Sequence, residues 1–480
     1  MVPIMLSLQL LHAVAAAAAR YPATDPAPPA LGSLAADWQP YFRGLSHPSD
    51  PRSPGWRGAP KHGLALPTAN SELGSVIGDE NVLAIRELTM PPFTQGPWSS
   101  VARDTSQLGR LSLDGQALYT QHSRWTPLGF ERNATARDGR AVHTEVRLPL
   151  AERGVLLSLS VGAGPEADVA LELVPQIRRY SSAEMNCSES QWRYPTNMQR
   201  NCWNWYAPRS FANETSDYTA TSAEQGGLYG WTARDSVSGA VTHVALKFMG
   251  VQDEVDNYDN TSVTLRLNSA QPLRASIAVA FGAASEEAAV IKKAQSWAKD
   301  MEAAMAAVAS ERQARFDAVF DPEGTRYSGS LPLLDTSDAQ LSRVYYAGVV
   351  SMLELERDSA AFPFAPPNTS RVFVTGAGSN ASTNVFFWDM AYCVTALTLL
   401  DPAMVKSSLL HWMTPALASE ALGGWGVDLY SGRAVGNHYA ADDFTLFKRP
   451  SCPFPCLACV RLRPLAPWLR SLSVLPQPHG

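Results

Sequence analysis

Thr383-Asn384-Val385-Phe386-Phe387-Trp388-Asp389-Met390-Ala391-Tyr392 sets one carboxylate, Asp389, beside an indole, Trp388, at the start of an apolar run. Cleaving a glycosidic bond needs a protonated carboxyl aimed at the departing oxygen. A neighbouring indole desolvates that carboxyl, which favours its protonated form, and offers a flat face on which a pyranose ring stacks. Asp389 is therefore a candidate general acid, and Trp388 a candidate wall of its pocket. The same residues also fit a plain structural role, with Trp388 in the core and Asp389 as the N-cap of a helix from about Met390 to Leu400.

Outward from this stretch the chain reads as helices. Asp401-Pro402 opens a second helix to about Leu417, with proline at the first helical position. Upstream, from Ser337 to Glu356, Leu341, Val344, Tyr345, Val349, Met352 and Leu353 recur at three- and four-residue spacing, the pattern of an amphipathic helix. Downstream, the segment from Trp425 through Asp428 and Arg433 to His438 and Tyr439 mixes aromatic faces with hydrogen-bonding groups, as a sugar pocket does. A glycine-rich helix connection with ordinary surface polars reads equally well there.

Phe386-Phe387-Trp388-Asp389, followed by Leu399-Leu400-Asp401-Pro402, resembles the FxWD element of (α/α)-toroid glycosidases, and most of all glycoside hydrolase family 63, that of processing α-glucosidase I. Leu331-Pro332 ahead of a helix carrying Tyr345-Tyr346, and Gly423-Gly424-Trp425-Gly426 about one helical hairpin after the motif, extend the likeness from about Arg315 to Phe447. The resemblance implies an inverting α-glycosidase, with Asp389 as general acid and the 425–439 segment lining the sugar site. The family's catalytic base lies on a later helix of the toroid, beyond this chain. No cofactor is implied.

Before the helices, alternating runs at Val142–Leu148, Gly154–Val161, Val169–Leu173, Val241–Phe248, Thr261–Leu267 and Ala275–Phe281 fit strand length and spacing, which points to a β-sandwich over residues 40–284. The polar segment from Ser181 to Gly230, with Trp192, Trp203 and Trp205, reads as loops at one end of the sandwich. Cys187 and Cys202 flank its tryptophans and could close a disulfide in an oxidising compartment. From Ser285 an Ala-rich, charged stretch to Ala318 reads as one long helix, or two, linking the sandwich to the helical part.

With 480 residues, 45% of them hydrophobic, the chain can bury the cores of two or three domains. A net charge of −6 without a basic cluster before the carboxyl end argues against nucleic-acid partners. No phosphate-binding loop, no dinucleotide fingerprint, no nucleophile elbow and no histidine pair at metal-ligand spacing is present. The residues expected to hold a metal are therefore none, even at Cys452, Cys456 and Cys459, where a fourth ligand would have to come from His479.

Met1 to Ala19 reads as a signal peptide, residues 20–39 as a proline-rich lead-in, and no later run is long enough to span a membrane. Sequons at Asn133, Asn186, Asn213, Asn260, Asn368 and Asn380 agree with passage through the secretory route, to the endoplasmic reticulum lumen, a vacuole or the outside of the cell. Residues 448–480 hold five Lys or Arg, seven prolines, three cysteines and no acid, a composition foreign to the rest, and read either as the foreign end of a truncated product or as a natural Pro/Cys-rich tail that mediates interaction.

The whole reads as a multidomain β-then-α protein: N-terminal β-sandwich, helical linker (285–330) and incomplete (α/α)6 toroid (331–447). The expected partner is an oligosaccharide or glycan, cleaved at α-glucosidic bonds. The alternative is a carbohydrate-binding protein without turnover. A polysaccharide lyase also combines toroid and sandwich, but in the reverse order.

Overall fold

The structure is a computed structural model that describes residues 28–37, 68–78, 81–90, 106–107, 109–173, 176–177, 218–235, 240–249, 255–259, 262–267, 272–362, 365–374, 384–418, 426–429 and 434–435. Its amino-terminal part is two facing antiparallel sheets. Nine strands are ordered Ala36–Asp37, His122–Thr126, Gly129–Thr135, Ala141–Arg147, Gly154–Val161, Leu273–Ala283, Ala240–Met249, Leu228–Asp235 and Tyr218–Gln225. Five more run Val255–Tyr258, Ser262–Leu267, Ala167–Glu172, Arg110–Leu113 and Gln116–Ala117. Alternation explains the pairing: Val142, Val146, Leu157, Leu159, Val169, Leu171, Val263 and Leu265 all point into one shared core.

The expectation of loops up to Gly230 is corrected by the hairpin Tyr218–Gln225 and Leu228–Asp235, which forms the far edge of the larger sheet. Its first strand, Tyr-Thr-Ala-Thr-Ser-Ala-Glu-Gln, has only Thr, Ala and Ser between Tyr218 and Glu224 and so carries no hydrophobic alternation. The turn was the signal: Gly226 and Gly227 take φ +61° and +75°, the left-handed geometry of a tight hairpin that glycine adopts without strain. The hairpin is fastened by Trp231, which is buried and donates from Nε1 to the Asp259 carbonyl at 2.9 Å. The tryptophans at 192, 203 and 205 lie outside the described residues.

The Ala-rich stretch forms two helices, α1 (Glu287–Lys299) and α2 (Met301–Ala318), divided at Asp300, whose side chain accepts from the Ala303 amide. Val290, Ala294 and Ala298 of α1 and Met301, Met305 and Val308 of α2 cover Leu156, Val241, Ala245, Ala278 and Ala280 on the outer face of the nine-stranded sheet. The strand Gly154–Val161 is thus buried on both sides, which is why its sequence is nearly unbroken in apolar residues.

α2 then carries Phe316 into a second core with α3 (Ala339–Leu353), α4 (Phe387–Leu400) and α5 (Pro402–Ala418). Asp338 caps α3 through the amides of Gln340 and Leu341 at 2.9 and 3.1 Å. The segment before the sandwich enters this core too: Leu31 and Leu34 are buried in it, while the next residues, Ala36–Asp37, pair with Trp125 and Arg124 at the sheet edge. The amino-terminal segment therefore straps the two cores together. α4 and α5 form one helix pair, and the described residues do not trace a closed ring of such pairs. Among them no helix is long and apolar enough to cross a membrane.

Candidate active site

The strand Asn384–Phe386 runs into α4 without an intervening residue. Helix α4 begins at Phe387, so Asp389 is its third residue and not the N-cap of a helix starting at Met390. In a helix's first turn the unpaired amides and the macrodipole favour the ionised carboxylate. A general acid at this position needs surroundings that oppose that preference.

The strand leading into α4 is the edge of a small antiparallel sheet. Asn384, Val385 and Phe386 pair with Asp428, Val427 and Gly426, and Val427 and Gly426 pair in turn with Ala434 and Val435. Val385 and Leu429 are both fully buried, which fixes this sheet against the helical core. The strand 384–386, which leads into the Asp389 helix, and the strand 426–428 are thereby neighbours in space, about 5 Å apart across the pair. Trp425, Arg433, His438 and Tyr439 lie outside the described residues, as do Cys187, Cys202, Asn186, Asn213, Asn260 and Asn380. Cys393, on α4, is part-buried against the helical core.

Helix α4 is held at its other end by Asp401, the single residue between α4 and α5. Its Oδ1 accepts from Ser328 Oγ at 2.6 Å and from the Met404 amide at 3.2 Å; its Oδ2 takes Arg371 at 2.8 Å. Gly329 donates its amide to the Leu400 carbonyl at 2.9 Å. A Cβ at this glycine would overlap the carbonyl oxygen of Leu399, so only glycine allows that approach.

Behind the elbow lies a buried ionic cluster. Glu356, 1% exposed, takes Arg326 at 2.6 Å, the Tyr327 hydroxyl at 2.7 Å and Arg371 at 3.4 Å. Burial and the Glu356 charge push the Tyr327 hydroxyl far above its ordinary range, so it acts there as a donor. Arg326 also pairs with Glu72, in the turn after Asn70 on the sandwich side. Arg312 of α2, 2% exposed, donates to Glu354 at 3.0 Å, to the Pro127 carbonyl at 3.2 Å and to the Leu148 carbonyl at 3.3 Å. Burial pulls Arg357 down to about 10, with Glu354 acting in the opposite sense. Sequence reasoning missed these groups because isolated Arg and Glu residues carry the pattern of a solvated surface. Among the described residues, no group of three or more His, Cys, Asp or Glu is placed to hold a metal ion.

No protein-family model matches the chain, and no curated protein matches it. Among solved structures it is similar to a protein described as a kojibiose phosphorylase from the human microbiome, at 12% identity and TM-score 0.44, over 79% of this chain and 52% of that one. It is also similar to a family GH92 inverting mannosidase from Bacteroides thetaiotaomicron VPI-5482, at 12% identity and TM-score 0.32, over 64% of this chain and 39% of that one. A GH92 family glycosyl hydrolase gives 12% identity and TM-score 0.36, over 76% of this chain and 49% of that one. The chain thus spans about half the length of these structures or less. At such scores the likeness does not bear on activity.

Proposed function

We propose that this protein is a glycoside hydrolase of the secretory route that cleaves α-glucosidic or related α-glycosidic bonds of oligosaccharides, with Asp389 as the proton donor. One observation carries the reading: the strand that enters the Asp389 helix pairs with the strand bearing Asp428, next to Trp425 in the chain. The strand leading into the indole and carboxylate of the motif thus shares one small sheet with the strand that follows Trp425, an arrangement that suits a pyranose site.

The chemistry would follow the inverting pattern. Asp389 donates its proton to the leaving oxygen while a second carboxylate, roughly 6.5–9.5 Å away, draws a proton from the attacking water. That base is assigned to no residue here, and Asp428 is read as a sugar ligand. Trp388, Trp425, Arg433, His438 and Tyr439 complete the proposed sugar contacts.

The test is hydrolysis of a panel of α-glucosides by the full chain, with the anomer of the first product read by proton NMR. Asp389→Asn is expected to lower kcat by about 100-fold or more, the usual contribution of a general acid. Undiminished hydrolysis by that variant would remove Asp389 from the role. Binding of α-glucosides without release of sugar would mark the protein as a carbohydrate-binding one.

A further inference from the structure

Helix α4 has a single charged residue, Asp389, and is otherwise apolar, aromatic or small: Phe-Trp-Asp-Met-Ala-Tyr-Cys-Val-Thr-Ala-Leu-Thr-Leu-Leu. Apolar burial is not directional, and directional bonds at the two ends of such a helix help to fix its rotation and tilt. At its amino-terminal end these are the ladder between Asn384–Phe386 and Gly426–Asp428. At the carboxyl-terminal end they converge on Asp401, which is 3% exposed. We propose that Arg371 is a positioning residue for the α4 site: it joins the α4–α5 elbow to a buried relay that runs back to the sandwich, and so sets where Asp389 stands.

The relay is continuous. Arg371 reaches Asp401 through Nη1 at 2.8 Å and Glu356 through Nε at 3.4 Å, and its guanidinium lies over the Tyr327 ring, 4.8 Å from the centroid. Glu356 passes the connection to Arg326 at 2.6 Å, and Arg326 to Glu72. Glu72 is itself fixed by its backbone, its amide donating to Leu150 at 3.1 Å and its carbonyl accepting from Asp358 at 2.9 Å. The strand of Arg371, Arg371–Phe373, pairs with Glu356–Asp358, so both ends of the Arg371–Glu356 contact sit on one rigid ribbon.

The lever is long enough to matter. A 14-residue helix is about 21 Å long, so a tilt of about 3° at the elbow moves its first turn by about 1 Å. A misplacement of about 1 Å at a reacting group costs on the order of 100-fold in rate.

The catalytic half of this inference rests on the proposed glycosidase reading; the positional half does not. The experiment therefore pairs kinetics with amide hydrogen exchange on the full chain, for the wild type, Arg371→Gln and Arg371→Lys. Arg371→Gln is expected to accelerate exchange in residues 387–400 by about tenfold or more while leaving strand 154–161 protected. It should also lower kcat by about 100-fold with KM within about threefold, and Arg371→Lys, which keeps the charge on Asp401, should recover part of both. Exchange in α4 that is unchanged, or that rises only in step with strand 154–161, overturns the proposal. So does an Arg371→Gln enzyme whose kcat equals that of the wild type. Should the wild type hydrolyse no α-glucoside, the exchange result decides alone: a local response in α4 upholds the positioning role while the glycosidase reading falls.

Discussion

Asn384 stands directly opposite Asp428 in the antiparallel pairing that joins the strand entering α4 to the strand after α5. A one-residue slip would turn one strand's faces over relative to the other, so the burial of Val385 against the core holds this register. Asp428 as a ligand for a sugar hydroxyl makes a charge-assisted hydrogen bond, about 1.5–3 kcal/mol. Asp428→Asn is then expected to raise KM by about tenfold or more with a much smaller change in kcat. Steady-state kinetics on an α-glucoside checks this. An equal fall in kcat and kcat/KM would instead give Asp428 a part in the chemistry.

The two cores are joined by charges that are out of water, and such pairs behave unlike surface ones. Arg312 is bound at once to Glu354, to Pro127 and Leu148 on the sandwich side, and to the Asn70 carbonyl. Arg312→Met removes the direct hydrogen bond to Glu354, which keeps only the Asn70 amide at 3.2 Å and Arg315 at 3.9 Å, and leaves the Pro127 and Leu148 carbonyls without this donor; it is expected to cost about 3–5 kcal/mol in urea unfolding. The exposed pair Arg266 and Glu166 provides the contrast, and Arg266→Ala is expected to stay within about 1 kcal/mol of the wild type. Equal losses for the two variants would show that burial does not govern the Arg312 contact.

The strictly alternating strand Val142 to Leu148 was legible to within a residue or two because one period-two pattern has one structural solution, and Gly154 to Val161 because a nearly unbroken apolar run of that length fits a strand buried on both faces. In the second core α3 was legible at period 3.6, α5 from its Asp401-Pro402 start, and α4 from its apolar run, apart from where that helix begins. That boundary moved from Met390 to Phe387 because Phe, Phe and Trp fit a strand and a helix equally well. The hairpin at 218–235 was not legible from hydrophobicity, since Thr, Ser and Ala carry little of it, although its paired glycines announced the turn. Least legible was the cluster around Glu356 and Asp401. Its ion pairs join residues 15 to 254 apart in sequence (Arg371 with Glu356, Arg326 with Glu72), and no periodicity marks a charge that tertiary packing removes from water.

The two described sequons differ in what surrounds them. Asn368 is exposed on a turn with φ +60°, and Ser370 beside it is exposed as well. Asn133 lies in the middle of a strand, with His122 and His143 as register partners, and its Oδ1 is 2.9 Å from His143 Nδ1. Expression in a glycosylating secretory host is expected to give a glycan at Asn368, with occupancy at Asn133 several-fold lower. Glycopeptide mass spectrometry reads both sites directly. Higher occupancy at Asn133 would show that modification precedes formation of the sheet and ignores its geometry.

His243 gives the fold a defined sensitivity to acid. Its ring is buried between the nine-stranded sheet and α1, with Nδ1 2.8 Å from Thr232 Oγ1 and with the exposed Arg234–Glu287 pair nearby. Burial lowers its pKa to about 4, and the Glu287 charge acts in the opposite sense without restoring the ordinary value. Above about pH 6.5 the ring is neutral in both folded and unfolded chains, and its titration contributes nothing. Between about 6.5 and 4 the unfolded chain takes up a proton that the folded one refuses, so stability falls as pH falls through this window and levels off below it. The shift corresponds to about 3 kcal/mol in all. His243→Gln does not titrate and can still bond Thr232, so its unfolding free energy should lose less on going from pH 7 to pH 4.5 than that of the wild type. Other groups titrate alike in the two proteins, so the difference between their curves isolates this ring. Parallel curves over that range would mean that His243 is protonated in the folded state.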